Sequence, residues 1–224
     1  MKFWKNNSIL NNQTESTSPK EIFQAVCDEI GKHFESRNFK YSKSTPKITL
    51  KDKEYKLEIR FNSSASNYAG GYVNLEINSN LYSLNLAKQD NSDSKFKGLL
   101  TGVITPLSKS LPLKFENASK VVETINGEVI HHPIDKFNYK EYTFNRNVNL
   151  YQISPSLLER IIKFIEIRII KWYDEFKTDE GLIRLVREMG GSAKYSIDKE
   201  NFYKYLDIRE FNKIDELKEM IKNR

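Results

Sequence analysis

The chain has 224 residues and a mass of 26.3 kDa, with 38% hydrophobic and 29% charged residues and a formal net charge of +6. That size accommodates one large domain, or one domain with a helical extension, and the composition is ordinary for a globular protein. The longest apolar-rich run, 157–172, is broken by Glu159, Arg160, Lys163, Glu166, Arg168 and Lys171, which excludes a membrane span; the single cysteine, Cys27, excludes an intramolecular disulfide or a cysteine-based metal cage.

The first seven residues pass straight into polar sequence without a signal-peptide apolar region, so the expected compartment is the cytoplasm. The charge is unevenly placed. Residues 1–60 hold twelve Lys/Arg against eight Asp/Glu, whereas residues 151–224 hold fifteen against fourteen. The carboxy-terminal part therefore reads as charge-dense, balanced helix surface. The excess on the first helix and first hairpin slightly favours an acidic partner, and a nucleic-acid binder would carry a denser basic stripe.

Residues 1–17 are expected to be a flexible lead-in rich in Asn, Ser and Thr. A helix then opens at Ser18-Pro19-Lys20-Glu21: cap, first-turn proline and the glutamate of a capping box. Ile22, Phe23, Val26, Cys27, Ile30 and Phe34 give it one apolar stripe, and it ends near Arg37-Asn38. From Pro46 to Ala87 the alternation fits two antiparallel hairpins. A loop at Asp52-Lys53 sets Leu50 opposite Tyr55 and Ile48 opposite Leu57; one at Ser79-Asn80 pairs Ile77 with Tyr82, Leu75 with Leu84 and Val73 with Leu86. One sheet face is then oily. The other is wet, carrying Lys56, Glu58, Arg60, Asn74, Glu76 and Asn85. The long connection Asn62–Gly71 between the hairpins, with Tyr68 among small and polar residues, is either a mobile link or a recognition loop.

Residues 88–119 show no clear pattern. Asn126-Gly127 signals a third hairpin between Val121-Val122 and Val129-Ile130, a ribbon or a pair at the sheet edge. Residues 139–153 are extended in character. Ser154-Pro155 opens a long helix to about Lys177, oily on more than one face. Shorter helices follow at about 179–189, 198–206 and 210–223. The organisation is thus a lead-in (1–17), a sheet unit (18–153) and a helical part packed on it (154–224).

Few residues suggest chemistry. His131-His132 would point to opposite faces of a strand, so they could share a metal only if the strand ended between them, and no metal or other cofactor is expected. His33 suits the carboxy end of the first helix. The carboxylate pairs Asp28-Glu29, Asp174-Glu175, Asp179-Glu180 and Asp215-Glu216 sit among lysines and arginines as solvated charge. No serine-nucleophile, phosphate-loop, dinucleotide, zinc-protease or calcium-loop motif occurs. Phe202, Tyr203 and Tyr205, with Tyr195 and Lys194, Lys199 and Lys204, could stack on single-stranded bases, but helical spacing favours core packing.

A helix, Phe39-Lys40-Tyr41, a hairpin, Ile59 to Ser64 and then Gly71-Tyr72-Val73-Asn74-Leu75 make up an order that resembles a group of small bacterial proteins. That group includes immunity proteins of interbacterial toxin systems. The likeness spans about residues 20–87, rests on pattern, and transfers no functional residue. It implies a non-enzymatic protein that binds a cognate toxin. The expected fold is α+β: an antiparallel meander of four or more strands, helices on its oily face and a carboxy-terminal helical satellite. The expected function is protein binding through Asn62, Tyr68 and the wet sheet face, blocking a toxin by steric occlusion, with no membrane role. The alternatives are a nucleic-acid-associated protein and a metal-dependent hydrolase around His131 and His132.

Overall fold

A seven-stranded antiparallel sheet organises the computed structural model, which describes residues 4–5, 7–89, 97–102, 120–125, 128–133, 147–188, 196–197, 199–209, 211 and 213–222. After a 3-10 turn at Ile9–Asn11 come α1 (Pro19–Glu35), β1 (Lys40–Ser42), β2 (Lys47–Lys51), β3 (Tyr55–Asn62) and β4 (Asn74–Ser83). Then follow α2 (Leu84–Gln89), β5 (Leu99–Gly102), β6 (Lys120–Ile125), β7 (Glu128–Pro133) and β8 (Asn147–Asn149). A long helical stretch runs as α3 (Pro155–Phe164), a π-helical turn (Ile165–Ile170) and α4 (Lys171–Phe176). The chain continues with α5 (Asp179–Glu188), β9 (Ser196–Ile197), α6 (Lys199–Ile208) and α7 (Ile214–Lys222). The sheet order is β1-β2-β3-β4-β5-β9, with β8 beside the first part of β4. This is the expected α+β meander with helices against it.

Helix α1 buries the expected stripe, Ile22, Phe23, Val26, Cys27, Ile30 and Phe34. Its start differs in one detail. Ser18 makes no side-chain capping bond, and the Glu21 and Ile22 amides donate to the Ser18 carbonyl instead. Its end is a Schellman motif: Asn38 sits at φ 66° while the Phe39 and Asn38 amides return to the carbonyls of Phe34 and Glu35. The Phe34 and Phe39 rings close the motif edge to face at 5.3 Å. The described part of the 1–17 lead-in is packed rather than loose, because Trp4 and Leu10 are apolar and join the core at 6% exposure each.

The first hairpin forms with a different register. Leu50 pairs with Leu57 and Ile48 with Ile59, two residues from the expected pairing. The cause is Asp52, whose carboxylate accepts from the Glu54 and Tyr55 amides at 2.8 and 2.7 Å and so builds a longer turn. Neither Asp52 nor Lys53 takes the positive φ that a tight two-residue loop needs. A shift of two preserves parity, so each face keeps its side chains.

The second hairpin does not form. Strand β4 runs straight through Ser79-Asn80 and pairs along all of β3, setting Phe61 opposite Ile77, Ile59 opposite Ser79 and Leu57 opposite Leu81. A continuous strand extends the odd-numbered row Val73, Leu75, Ile77 to Leu81, which is fully buried. Leu84 and Leu86 then leave the sheet as part of α2. One consequence is that the Ser79 hydroxyl lies buried on the apolar face with no hydrogen-bond partner among the described residues.

Strands β6 and β7 make the expected third hairpin as a separate two-stranded sheet, Val121 opposite His132 and Ile125 opposite Glu128; its turn, 126–127, lies outside the described residues. Ser154 caps α3 by accepting from the Leu157 amide at 3.2 Å. Ile161, Ile165, Ile169 and Tyr173 recur every four residues and are all buried. The wider π turn takes up the drift that such a spacing accumulates in a 3.6-residue helix. The core is one cluster, extending from Trp4 to Ile221 across the boundary expected at 153–154.

Candidate functional site

Residues facing each other across an antiparallel pair share a face, so the register reads out the polar side of the sheet directly. Strand β1 contributes Lys40, β2 contributes Lys47, Thr49 and Lys51, and β3 contributes Lys56, Glu58 and Arg60. Strand β4 adds Glu76, Asn78, Asn80 and Tyr82. Glu58 is the centre of this face. Its Oε2 accepts from Arg60 at 2.7 and 3.2 Å, while its Oε1 lies 3.3 Å from both Lys47 Nζ and Lys56 Nζ. The carboxylate is 8% exposed, whereas the three cations are 28–39% exposed, so solvent meets the cations. Burial alone would raise the Glu58 pKa; the Arg60 hydrogen bond and the charges of Lys56 and Lys47 outweigh it and hold the pKa at about 2. Lys56 also lies 4.0 Å over the ring of Tyr82, which is itself buried.

The connection from β3 to β4 is a built loop. Asn67 Nδ2 donates to Ser63 Oγ at 2.6 Å, and its Oδ1 accepts from the Asn74 amide at 2.8 Å. Tyr68 and Tyr72 exchange backbone bonds of 3.0 and 3.2 Å, closing a short turn that needs φ +76° at Gly70. Asn149 of β8 donates to the Gly71 carbonyl at 3.0 Å and accepts from the Val73 amide, anchoring the exit. The Tyr68 ring stacks on Tyr72 with centroids 6.4 Å apart and lies against Gly71, yet remains 61% exposed. The Tyr72 hydroxyl donates to Asn74 Oδ1, and Asn74 belongs to the same row as Glu76 and Asn78. The aromatic pair therefore adjoins the end of the polar face.

The structure brings Lys56, Glu58, Arg60 and Glu76 together as expected, but Glu58 and Asn74 are buried, 6% and 5% exposed, as counter-ion and loop anchor. Asn62 is exposed at the end of β3, opposite Glu76. Asn85 is not on the sheet. The missing second hairpin moves it to α2, where it borders a cavity of about 220 Å³ with Tyr55, Ser83, Tyr205 and Arg209. His131 and His132 lie on β7, near its end at Pro133. Among the described residues no three His, Cys, Asp or Glu side chains gather as metal ligands, and no helix is long and apolar enough to cross a membrane. His33 pairs with Glu166 at 3.1 Å beside Arg37. Cys27 is buried within α1, and burial with Asp28 alongside pushes its thiol pKa up, which suits a core residue. Phe202 and Tyr205 are core side chains with no free ring face, whereas Tyr203 is half-buried; Tyr195 and Lys194 lie outside the described residues.

One cluster was invisible to sequence reasoning. Arg209 donates to the Tyr205 hydroxyl at 2.6 Å, to the Phe176 and Lys177 carbonyls at 3.1 and 2.7 Å, and to Asp179 at 2.8 Å. It thereby satisfies the end of α4 and ties it to α5 and α6. Tyr55 and Tyr205 share a hydroxyl bond of 2.7 Å across 150 residues of sequence. Asp52 receives Tyr173 Oη at 2.7 Å and Lys177 Nζ at 3.1 Å; burial would raise its pKa, but Tyr173, the Tyr55 and Glu54 amides and Lys177 hold it at about 2. These groups are spent on one another and lock the helices to the sheet end. No family model, curated protein or solved structure matches the chain.

Proposed function

We propose that the chain is a non-enzymatic binding protein of the bacterial cytoplasm that neutralises a cognate toxin by steric occlusion. The observation that carries this reading is Tyr68, an aromatic side chain 61% exposed on a loop whose backbone is held by Asn67, Asn149 and the Tyr68–Tyr72 bridge. Rigid, amphipathic tyrosines dominate protein recognition because they offer large contact area at low ordering cost. The adjoining polar face extends that anchor into a wide surface. Occlusion needs only a preformed surface of this kind and no reacting group.

The test is co-purification and calorimetry with the products of the genes beside this one. A nanomolar complex is expected, and Tyr68→Ala should weaken it by about tenfold or more while leaving the melting temperature unchanged. No complex with the neighbouring gene products, or an affinity indifferent to Tyr68, counts against the proposal.

A further inference from the structure

The polar face carries an electrostatic conflict that its own side chains only half resolve. In the β2–β3 register Lys47 stands directly opposite Arg60, and Lys51 directly opposite Lys56. Like charges facing each other across an antiparallel pair are destabilising. Glu58 lies diagonal to Lys47 and between Lys56 and Arg60 on its own strand, and its single negative charge serves all three. Lys40 and Lys51, both exposed, add to the same face, and Glu76 is the other carboxylate on these four strands' polar side. Five cations therefore share two carboxylates. A fold that retains two opposed cation pairs on an accessible face has kept a repulsion that an external anion would relieve.

We infer that this face is the docking site for a carboxylate-rich segment of the protein partner, seated over Lys47, Lys56 and Arg60 with Lys40 and Lys51 at its rim. The inference rests on the protein-binding reading above and names the chemistry of that partner. The cations are already in place: Arg60 is held by two bonds to Glu58 and Lys56 by the Tyr82 ring, so docking orders little that is not ordered already. One feature favours a protein over a nucleic acid. Tyr82, the aromatic among those cations, is 2% exposed beneath Lys56 and offers no ring for a base to stack on.

The probe is a short oligoglutamate peptide, titrated against the full chain by fluorescence anisotropy at low ionic strength, with oligothymidylate as the comparison. Oligoglutamate should bind, release steeply with added salt, and bind about tenfold more weakly to the Lys40→Glu/Lys51→Glu variant. Both lysines are exposed and outside the Glu58 contacts, and Lys51→Glu sets an opposite charge against Lys56, so the variant should melt no lower than the parent; each single change should give an intermediate loss of peptide binding. Tyr68→Ala should leave oligoglutamate binding unchanged. Absence of binding, equal binding by the double variant, or tighter binding of oligothymidylate overturns the inference, the last assigning the face to nucleic acid. Because Tyr68→Ala reads the toxin complex and not the acidic peptide, failure of one proposal is separable from failure of the other.

Discussion

Replacing Glu58 by glutamine keeps the side chain's shape and removes the charge on which three cations converge. The carboxyl pKa is about 2, against an ordinary 4.5. At about 1.4 kcal/mol per pH unit, that difference bounds the stabilisation by the ionised form at about 3 kcal/mol. Water reaches Lys47, Lys56 and Arg60, each 28–39% exposed, and screens part of the interaction. The expected loss for Glu58→Gln at pH 7 is therefore about 1–2 kcal/mol, or about 2–8 °C in melting temperature for a chain of this length. The pH dependence has a defined sign. A depressed pKa contributes its stability in full above the unfolded value near 4.5 and loses it as pH falls toward 2. Calorimetric melts of parent and variant should differ by a constant amount from pH 8 to 5 and converge on further acidification. A gap below about 1 °C at pH 7, or one that does not narrow in acid, would refute the reasoning.

Two further changes test the packing. Gly31→Ala would ordinarily stabilise a helix interior by about 1 kcal/mol, but here the new Cβ would lie 2.5–2.8 Å from Tyr41 ring atoms. Hydrogen bonds from Tyr41 to Asp28 and from Gln24 to Tyr41 hold that ring, so the urea midpoint should fall by the equivalent of about 1–3 kcal/mol; a rise would show that the ring yields. Tyr205→Phe removes a buried hydroxyl bonded to Tyr55 and Arg209 and should cost about 1–3 kcal/mol in chemical denaturation. An unchanged midpoint would mean that the network adds nothing to holding α6 on the sheet.

Much of the scaffold was legible in local pattern. The α1 stripe, the Ser154-Pro155 helix start, the Asn126-Gly127 hairpin and the two-faced character of β2 and β3 each follow from one element's own periodicity or cap chemistry. The candidate site was legible in part. Lys56, Glu58 and Arg60 share a face because they alternate on one strand, and Tyr68 stood out as an aromatic in a polar loop. Asn67 and Asn149, which hold that loop, were not foreseen, because an asparagine is an anchor only when the chain returns a carbonyl or amide to it. Arg209 was missed for the same reason: its partners lie on Tyr55, Phe176, Lys177, Asp179 and Tyr205.

Side-chain parity is a property of an unbroken strand, and it survived the two-residue shift of the first hairpin. It did not survive the loss of the Ser79-Asn80 turn, which moves Tyr82 from the face of Ile77 to the polar face. Whether Ser79-Asn80 turns or runs on was not a local matter. All eight residues of β3 offered pairing to Glu76 through Ser83 of β4, and that ladder outweighed a polar dipeptide's preference to bend. Glu58's role was likewise set in three dimensions. Nothing near it in sequence marks it as buried; Lys47 had to be brought across from β2, and Tyr82 from β4, before its charge could organise a face.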